Sequence, residues 1–229
     1  GQLGKAFHVL LDSLLPSIVD KPNIQFIGRA ECDLSDTTAL NSLLNQFHPQ
    51  LIVNASAYTA VDKAETEGDL AFAVNARAPG LMAQYATQHR AIFLHYSTDY
   101  VFDGKKEAAY LETDLPAPLG IYGASKAAGE AAIIALAPHY AIFRTSWVYG
   151  DGANFIRTIL RLAKEREELA IVSDQFGAPT SAAWLAQISL DFIAQPFKSG
   201  IYHAVPDGDT TWYELACLVV QTALDAGAS

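Results

Sequence analysis

The chain has 229 residues, with 15 Lys and Arg against 25 Asp and Glu, and a formal net charge of -10 with histidine neutral. Apolar types make up 51% and charged types 17%, enough for a sizeable buried core and unlike a disordered chain. The acidic balance offers no basic stripe to neutralise phosphates, which argues against nucleic acid or an anionic membrane as partner.

Cys32 and Cys217 are too few for a disulfide scaffold and lack metal-site spacing, and the six histidines (8, 48, 89, 95, 139, 203) show none either, so no metal is expected. No apolar run reaches the roughly 18 residues of a spanning helix. The expectation is a soluble, cytoplasmic protein without a signal peptide.

Gly1-Gln2-Leu3-Gly4 reads as the end of a glycine-rich turn. Ile24, Phe26 and Ile27 predict a strand. Ser35-Asp36 predicts a helix cap, and Leu40, Leu43, Leu44 and Phe47 follow at helical spacing until Pro49. Leu51-Ile52-Val53 predicts a buried strand ending at Asn54. Residues 70–88 predict a helix, and Ile92 to Tyr96 a strand ending in Ser97-Thr98-Asp99. After a Pro- and Gly-rich loop, Tyr122 to Leu136 predicts an Ala-rich helix, and Ala141-Ile142-Phe143 another strand. A helix from Phe155 to Ala163, a strand over 169–172, a helix over 182–193, a strand over 201–204 and a helix from Thr211 complete the chain.

This alternation predicts an α/β fold, a doubly wound parallel sheet with helices on both faces. Ligands then bind beyond the carboxyl ends of the strands. Tyr122 and Lys126 stand four apart on a helix, so phenol and ammonium face the same way. Such a cation favours the phenolate and is expected to lower the tyrosine pKa towards neutrality, as proton transfer requires. On spacing alone the pair reads as a partly exposed Tyr beside a solvated Lys, and the strand end at Ser97-Thr98-Asp99 one element earlier favours the functional reading. Thr98, delivered to the same sheet edge, offers a hydroxyl to a substrate carbonyl, or forms only a capping turn.

Gly1 and Gly4 match the last two glycines of G-x-x-G-x-x-G, where a helix N-terminus meets a pyrophosphate, or make a plain turn. Small residues at 54–59 suit the close approach of a flat ligand. Arg29 and Asp33 follow the second predicted strand, where Arg29 suits a 2′-phosphate or simply faces solvent. Asp62 and Glu65 read as surface helix residues. Trp147 reads as core, or as facing a ligand.

Together NASAYTAVDKAE (54–65), HYSTDYVFDG (95–104), YGASKAAGE (122–130), FRTSWVYG (143–150), LRLAKEREEL (160–169), DQFGAPTS (174–181) and TTWYELA (210–216) closely resemble the dTDP-4-dehydrorhamnose reductase family of extended short-chain dehydrogenase/reductases. The resemblance implies a Rossmann-like dinucleotide-binding domain over 1–150, with 178–200 packing back on it. Residues 151–177 and 201–229 would form part of a smaller substrate domain. It implies hydride transfer from NADPH or NADH to C4 of a dTDP-4-keto sugar, giving dTDP-L-rhamnose. Tyr122 would be the proton donor, Lys126 the ribose-binding partner, and Thr98 a hydrogen bond to the sugar, with Asp99 and Trp147 beside the substrate. Gly1, Gln2, Leu3, Gly4, Arg29, Asp33, Leu34, Ala57, Tyr58 and Thr59 would line the cofactor.

The resemblance also implies a strand before Gly1 and further residues after Ala223. Without that strand, exposed strand edges and an incomplete pyrophosphate loop are expected. The oligomeric state stays open between monomer and homodimer. Two other functions on the same scaffold are a nucleotide-sugar dehydratase or epimerase and a non-catalytic NADP-binding regulatory subunit. Tyr100, where dehydratases commonly carry Glu, disfavours the first; intact Thr98, Tyr122 and Lys126 disfavour the second.

Overall fold

The computed structural model describes residues 1–17 and 22–227. In chain order the elements begin with α1 Gln2–Leu14, α2 Thr37–Phe47, β1 Leu51–Asn54, α3 Val61–Ala64, α4 Gly68–Phe72 and a π-helical turn Ala73–Arg77. There follow α5 Ala78–His89, β2 Ile92–Thr98, α6 Ile121–Leu136, β3 Tyr140–Thr145, β4 Val148–Tyr149 and α7 Phe155–Glu165. The last are β5 Phe176–Gly177, β6 Thr180–Ser181, α8 Ala182–Ile193, β7 Gly200–His203, β8 Thr210–Thr211 and α9 Trp212–Asp225.

Two compact units result. One comprises Asp20–Thr145 and Gln195–Ala204. Its sheet has the order β1-β2-β3-β7, with every pair parallel. Phe93, Ile133 and Ile142 are fully buried in its core with Leu40, Leu44 and Met82. Each such side chain contributes about 1.5–3 kcal/mol on leaving water. α2 starts where expected because Asp36 accepts from the N–H groups of Thr38 and Ala39, both at 3.0 Å. It ends at His48, left-handed at φ 51, just before Pro49.

The helix expected over 70–88 forms, but a π turn interrupts it. That turn carries the buried Asn75, whose side chain ties three segments together (below). A Cβ on Gly129 of α6 would lie 2.1 Å from the Asn75 carbonyl oxygen, so only glycine permits this approach. Gly129→Ala is expected to cost about 1–3 kcal/mol through overpacking, read as a lower urea midpoint.

Two expected strands do not form. Residues 24–27 run without a ladder, with Phe26 and Ile27 exposed, because β1 is an outer strand that pairs with β2 and the segment finds no partner among the described residues. An extended segment without a ladder has nothing to offset its ordering cost. Residues 169–172 are also not a strand. There the Val172 carbonyl instead accepts from the Tyr213 N–H in the first turn of α9, at 3.0 Å.

The other unit comprises Gly1–Val19, Ser146–Ala194 and Val205–Ser229. α1 lies on α8, burying Leu3 and Phe7 on one side and Leu185 and Ala186 on the other. β4 pairs in parallel with β6, and β5 antiparallel with β8. A capping box of Thr211 and Glu214 starts α9. The glycine-rich turn expected over Gly1–Gly4 is helix instead: Gly1 is the N-cap and Gln2 to Gly4 form the first turn of α1.

Candidate active site

β2 ends at Thr98, and its hydroxyl is held in place. Thr98 Oγ1 donates to Asp99 Oδ1 at 2.9 Å and accepts from the Tyr100 N–H at 3.2 Å. Tyr122, the second residue of α6, shares a side-chain hydrogen bond with Thr98. Its ring meets that of Tyr100 edge-on, centroids 5.5 Å apart. A Cβ on Gly123 would sit 2.1 Å from the Tyr100 carbonyl oxygen, so glycine lets the helix start this close to the strand end. Glu65 fixes that start too: its Oε1 accepts from the Ile121 N–H at 2.8 Å. Glu65 is exposed, as expected of a surface helix residue, and makes this bond from there.

Lys126 lies one turn further along α6 and is 2% exposed. Its Nζ donates to the Tyr96 carbonyl at 2.6 Å and lies 3.3 Å from His95 Nε2. The expected electrostatics are reversed here. Burial pushes Tyr122 up to about 12, with Asp99 and Tyr100 adding to the rise and the Thr98 hydrogen bond opposing it. Burial instead brings the lysine down to about 8, against the pull of Glu130. Asp99 is likewise raised by burial, against its hydrogen bonds from Thr98 and the backbone.

These shifts predict a pH signature in stability. Between about 8 and 10.5 the unfolded chain holds a proton on Lys126 that the folded chain has released, so stability rises with pH there. Between 10 and about 12 the folded chain keeps the Tyr122 proton that the unfolded chain loses, so this contribution falls. Denaturant midpoints should therefore climb above pH 8 and turn over above 10, and Lys126→Met should remove the climb.

The segment after β1 is fastened to α6 through Asn75. Tyr58 N–H donates to Asn75 Oδ1 at 2.9 Å, and Asn75 Nδ2 donates to the Tyr58 carbonyl and to Ser125 Oγ, each at 3.0 Å. Ala57 and Thr59 flank Tyr58 and are exposed. Sequence reasoning missed Asn75, since nothing in an Ala-rich helical stretch marks the π turn that holds it. Arg29 and Asp33 pair with each other, Nε to Oδ2 at 3.1 Å, with Arg29 largely exposed. Hydrogen bonds from Ser35, then the Arg29 partner, hold the Asp33 carboxyl low. Leu34 packs on the core.

In the other unit, the N-terminal turn of α1 has no side-chain cap and no acidic residue. A Cβ on Gly1 or Gly4 would meet nothing within 4 Å, so internal packing does not demand glycine at either position. Gln2 is fixed by its donation to the Val148 carbonyl at 3.3 Å and by accepting from Asn154 at 3.1 Å. Trp147 has φ 45 and stacks on Trp212, centroids 3.5 Å apart. Gly177 makes room for it, since a Cβ there would lie 2.5 Å from the indole. Gln2, Trp147, Asn154, Phe155 and Trp212 border a cavity of about 240 Å³.

The structure thus brings Thr98, Asp99, Tyr122 and Lys126 together within the sheet unit and fastens Tyr58 to the same helix. Gly1 to Gly4 and Trp147 belong to the other unit. A sequence model of the RmlD substrate binding domain matches residues 1–228. The dTDP-4-dehydrorhamnose reductase of Escherichia coli K12 is 48% identical over 200 residues, 85% of this chain and 67% of that protein. The chain belongs to the dTDP-4-dehydrorhamnose reductase family. Solved reductase structures agree with it. The one from Clostridium acetobutylicum superposes with a TM-score of 0.89 at 36% identity, over 96% of this chain and 76% of the other. The one from Bacillus anthracis, solved in complex with NADP, gives 0.86 at 37% identity, over 97% and 78%. These neighbours share the Rossmann-like α/β fold expected of the family. No described helix is long and apolar enough to cross a membrane.

Proposed function

We propose that this chain reduces dTDP-4-dehydrorhamnose to dTDP-L-rhamnose, with Tyr122 as proton donor. The observation that carries this reading is the half-buried phenol of Tyr122, hydrogen-bonded with Thr98 at the end of β2, with its pKa raised so that it keeps its proton. NADPH or NADH, when bound, supplies the hydride that reduces C4 of the sugar. The residues present fit such a cofactor: open space over Gly1 and Gly4 and an uncapped helix start with Gln2 and Leu3 suit a pyrophosphate. Arg29, Asp33 and Leu34 would take the adenosine end, and Ala57, Tyr58 and Thr59 the flat middle. Lys126 directs one N–H at the Tyr96 carbonyl and keeps another for a ribose hydroxyl.

Tyr122 gives its proton to the oxygen on C4. An alkoxide is a stronger base than a phenolate, so the transfer runs downhill even from a phenol raised to about 12. A raised pKa therefore suits the reductive direction, since the donor is protonated throughout the neutral range. Thr98 would hold the same oxygen by turning its hydroxyl proton to it from Asp99. The test is NADPH oxidation by the purified chain. Turnover with the dTDP-4-keto sugar and none with dTDP-glucose supports the reading; cofactor binding without turnover on the keto sugar overturns it.

A further inference from the structure

Asn54, His95 and Lys126 form a buried polar line from β1 through β2 to α6, directly behind the site. Asn54 and His95 are register partners, so their side chains share the face that α6 covers. His95 is fully buried, Asn54 4% and Lys126 2% exposed. Each contact along this line constrains the next. The Ser56 N–H donates to Asn54 Oδ1 at 3.2 Å, which fixes the amide with Nδ2 towards His95. Asn54 Nδ2 lies 3.1 Å from His95 Nδ1. An amide NH2 only donates, so Nδ1 accepts and carries no proton. A neutral imidazole then carries its proton on Nε2, which faces Lys126 Nζ at 3.3 Å.

An ammonium has three donors and no lone pair, so a charged Lys126 would set donor against donor. A neutral amine accepts from Nε2–H and still donates to the Tyr96 carbonyl. We infer that His95, locked by Asn54 in the Nε2–H tautomer, is a positioning residue that lowers the proton affinity of Lys126. Burial acts in the same direction, lowering both groups.

The groups around this line are accounted for. Glu130, on α6, favours the charged lysine but is paired with Arg144 of β3. Asp99, Tyr100 and Tyr122 lie beyond the end of β2. On β7, His203 is held low by burial, and its backbone N–H donates to Glu112 Oε1 at 3.0 Å. Tyr85 and His89 of α5 stack on one another. On α3, α4 and the π turn, Asp62, Lys63, Asp69 and Arg77 are exposed.

The consequence, which rests on the proposed roles of Tyr122 and Lys126, is a lysine with two protonation states close in energy. It can gain a proton from solvent as Tyr122 becomes anionic, which a permanently charged lysine cannot. The assignment itself needs no turnover to be tested. Long-range proton–nitrogen correlations of the histidine rings, with His95 identified by its loss in His95→Gln, should show a protonated Nε2 and a bare Nδ1 throughout the range where exposed histidines titrate. His95→Gln frees a carboxamide oxygen to face Lys126, so the lysine titration, followed at its ε-carbon, should rise by about one pH unit, roughly tenfold in proton affinity. Asn54→Asp, which accepts from a protonated Nδ1 and turns a bare Nε2 to the lysine, should move it the same way. A protonated Nδ1 in the native protein, or a lysine titration unmoved in both variants, overturns the assignment. Failure of the reductase reading would show separately, in the keto-sugar assay.

Discussion

Replacing Tyr122 with phenylalanine is expected to lower kcat by about 10²- to 10⁴-fold, the usual contribution of a positioned general acid, with cofactor affinity largely unchanged. The substitution is close to a pure chemical deletion. The ring and its edge-on contact with Tyr100 remain. Thr98 keeps its bonds to Asp99 and the Tyr100 N–H, so no buried partner is orphaned and folding stability should hold. Because the phenol stays protonated up to about 12, the native enzyme should show no alkaline loss of rate from this group in the neutral range. Lys126→Ala gives a different pattern. It empties a buried site and removes the donor to the Tyr96 carbonyl, so kcat, cofactor affinity and stability should fall together. Steady-state kinetics beside a cofactor titration separates the two, and native turnover in Tyr122→Phe would remove the proton-donor assignment.

The elements that position the site were legible in the sequence because each carries its own local signal. The cap at Asp36, the strand end at Thr98 and the four-residue spacing on α6 are all short-range patterns. The failures have a common physical origin in partners distant along the chain. Residues 24–27 and 169–172 have strand composition, but a strand exists only where another strand lies beside it. The π turn at 73–77 depends on Asn75 reaching Tyr58 and Ser125, contacts that helical periodicity does not encode. The electrostatics failed for the same reason. Spacing placed Lys126 on the Tyr122 face of α6, but its depth beneath β2 decides that burial outweighs pairing, and that depth is a tertiary fact.

The largest effect on folding is expected from Glu130→Ala. Glu130 and Arg144 are 2% and 3% exposed and meet through two parallel bonds, Nε to Oε1 at 2.9 Å and Nη2 to Oε2 at 2.6 Å. The guanidinium rests against the Phe102 ring, 4.9 Å from its centroid, and its Nη1 has no hydrogen-bond partner among the described residues. Removing the carboxylate leaves a buried cation that cannot release its proton, a loss of about 3–5 kcal/mol. Against a typical total of about 5–15 kcal/mol, that would leave a chain with a low urea midpoint and poor yield. The pair is nevertheless not a large net source of stability, because both ions give up water to form it. Glu130→Met combined with Arg144→Leu should therefore recover most of the loss. The double variant should also lower the Lys126 pKa further, since Glu130 is the group that raises it. A single variant as stable as the native chain would mean that Arg144 reaches solvent, and the buried polar layer behind Tyr122 would then have to be redrawn.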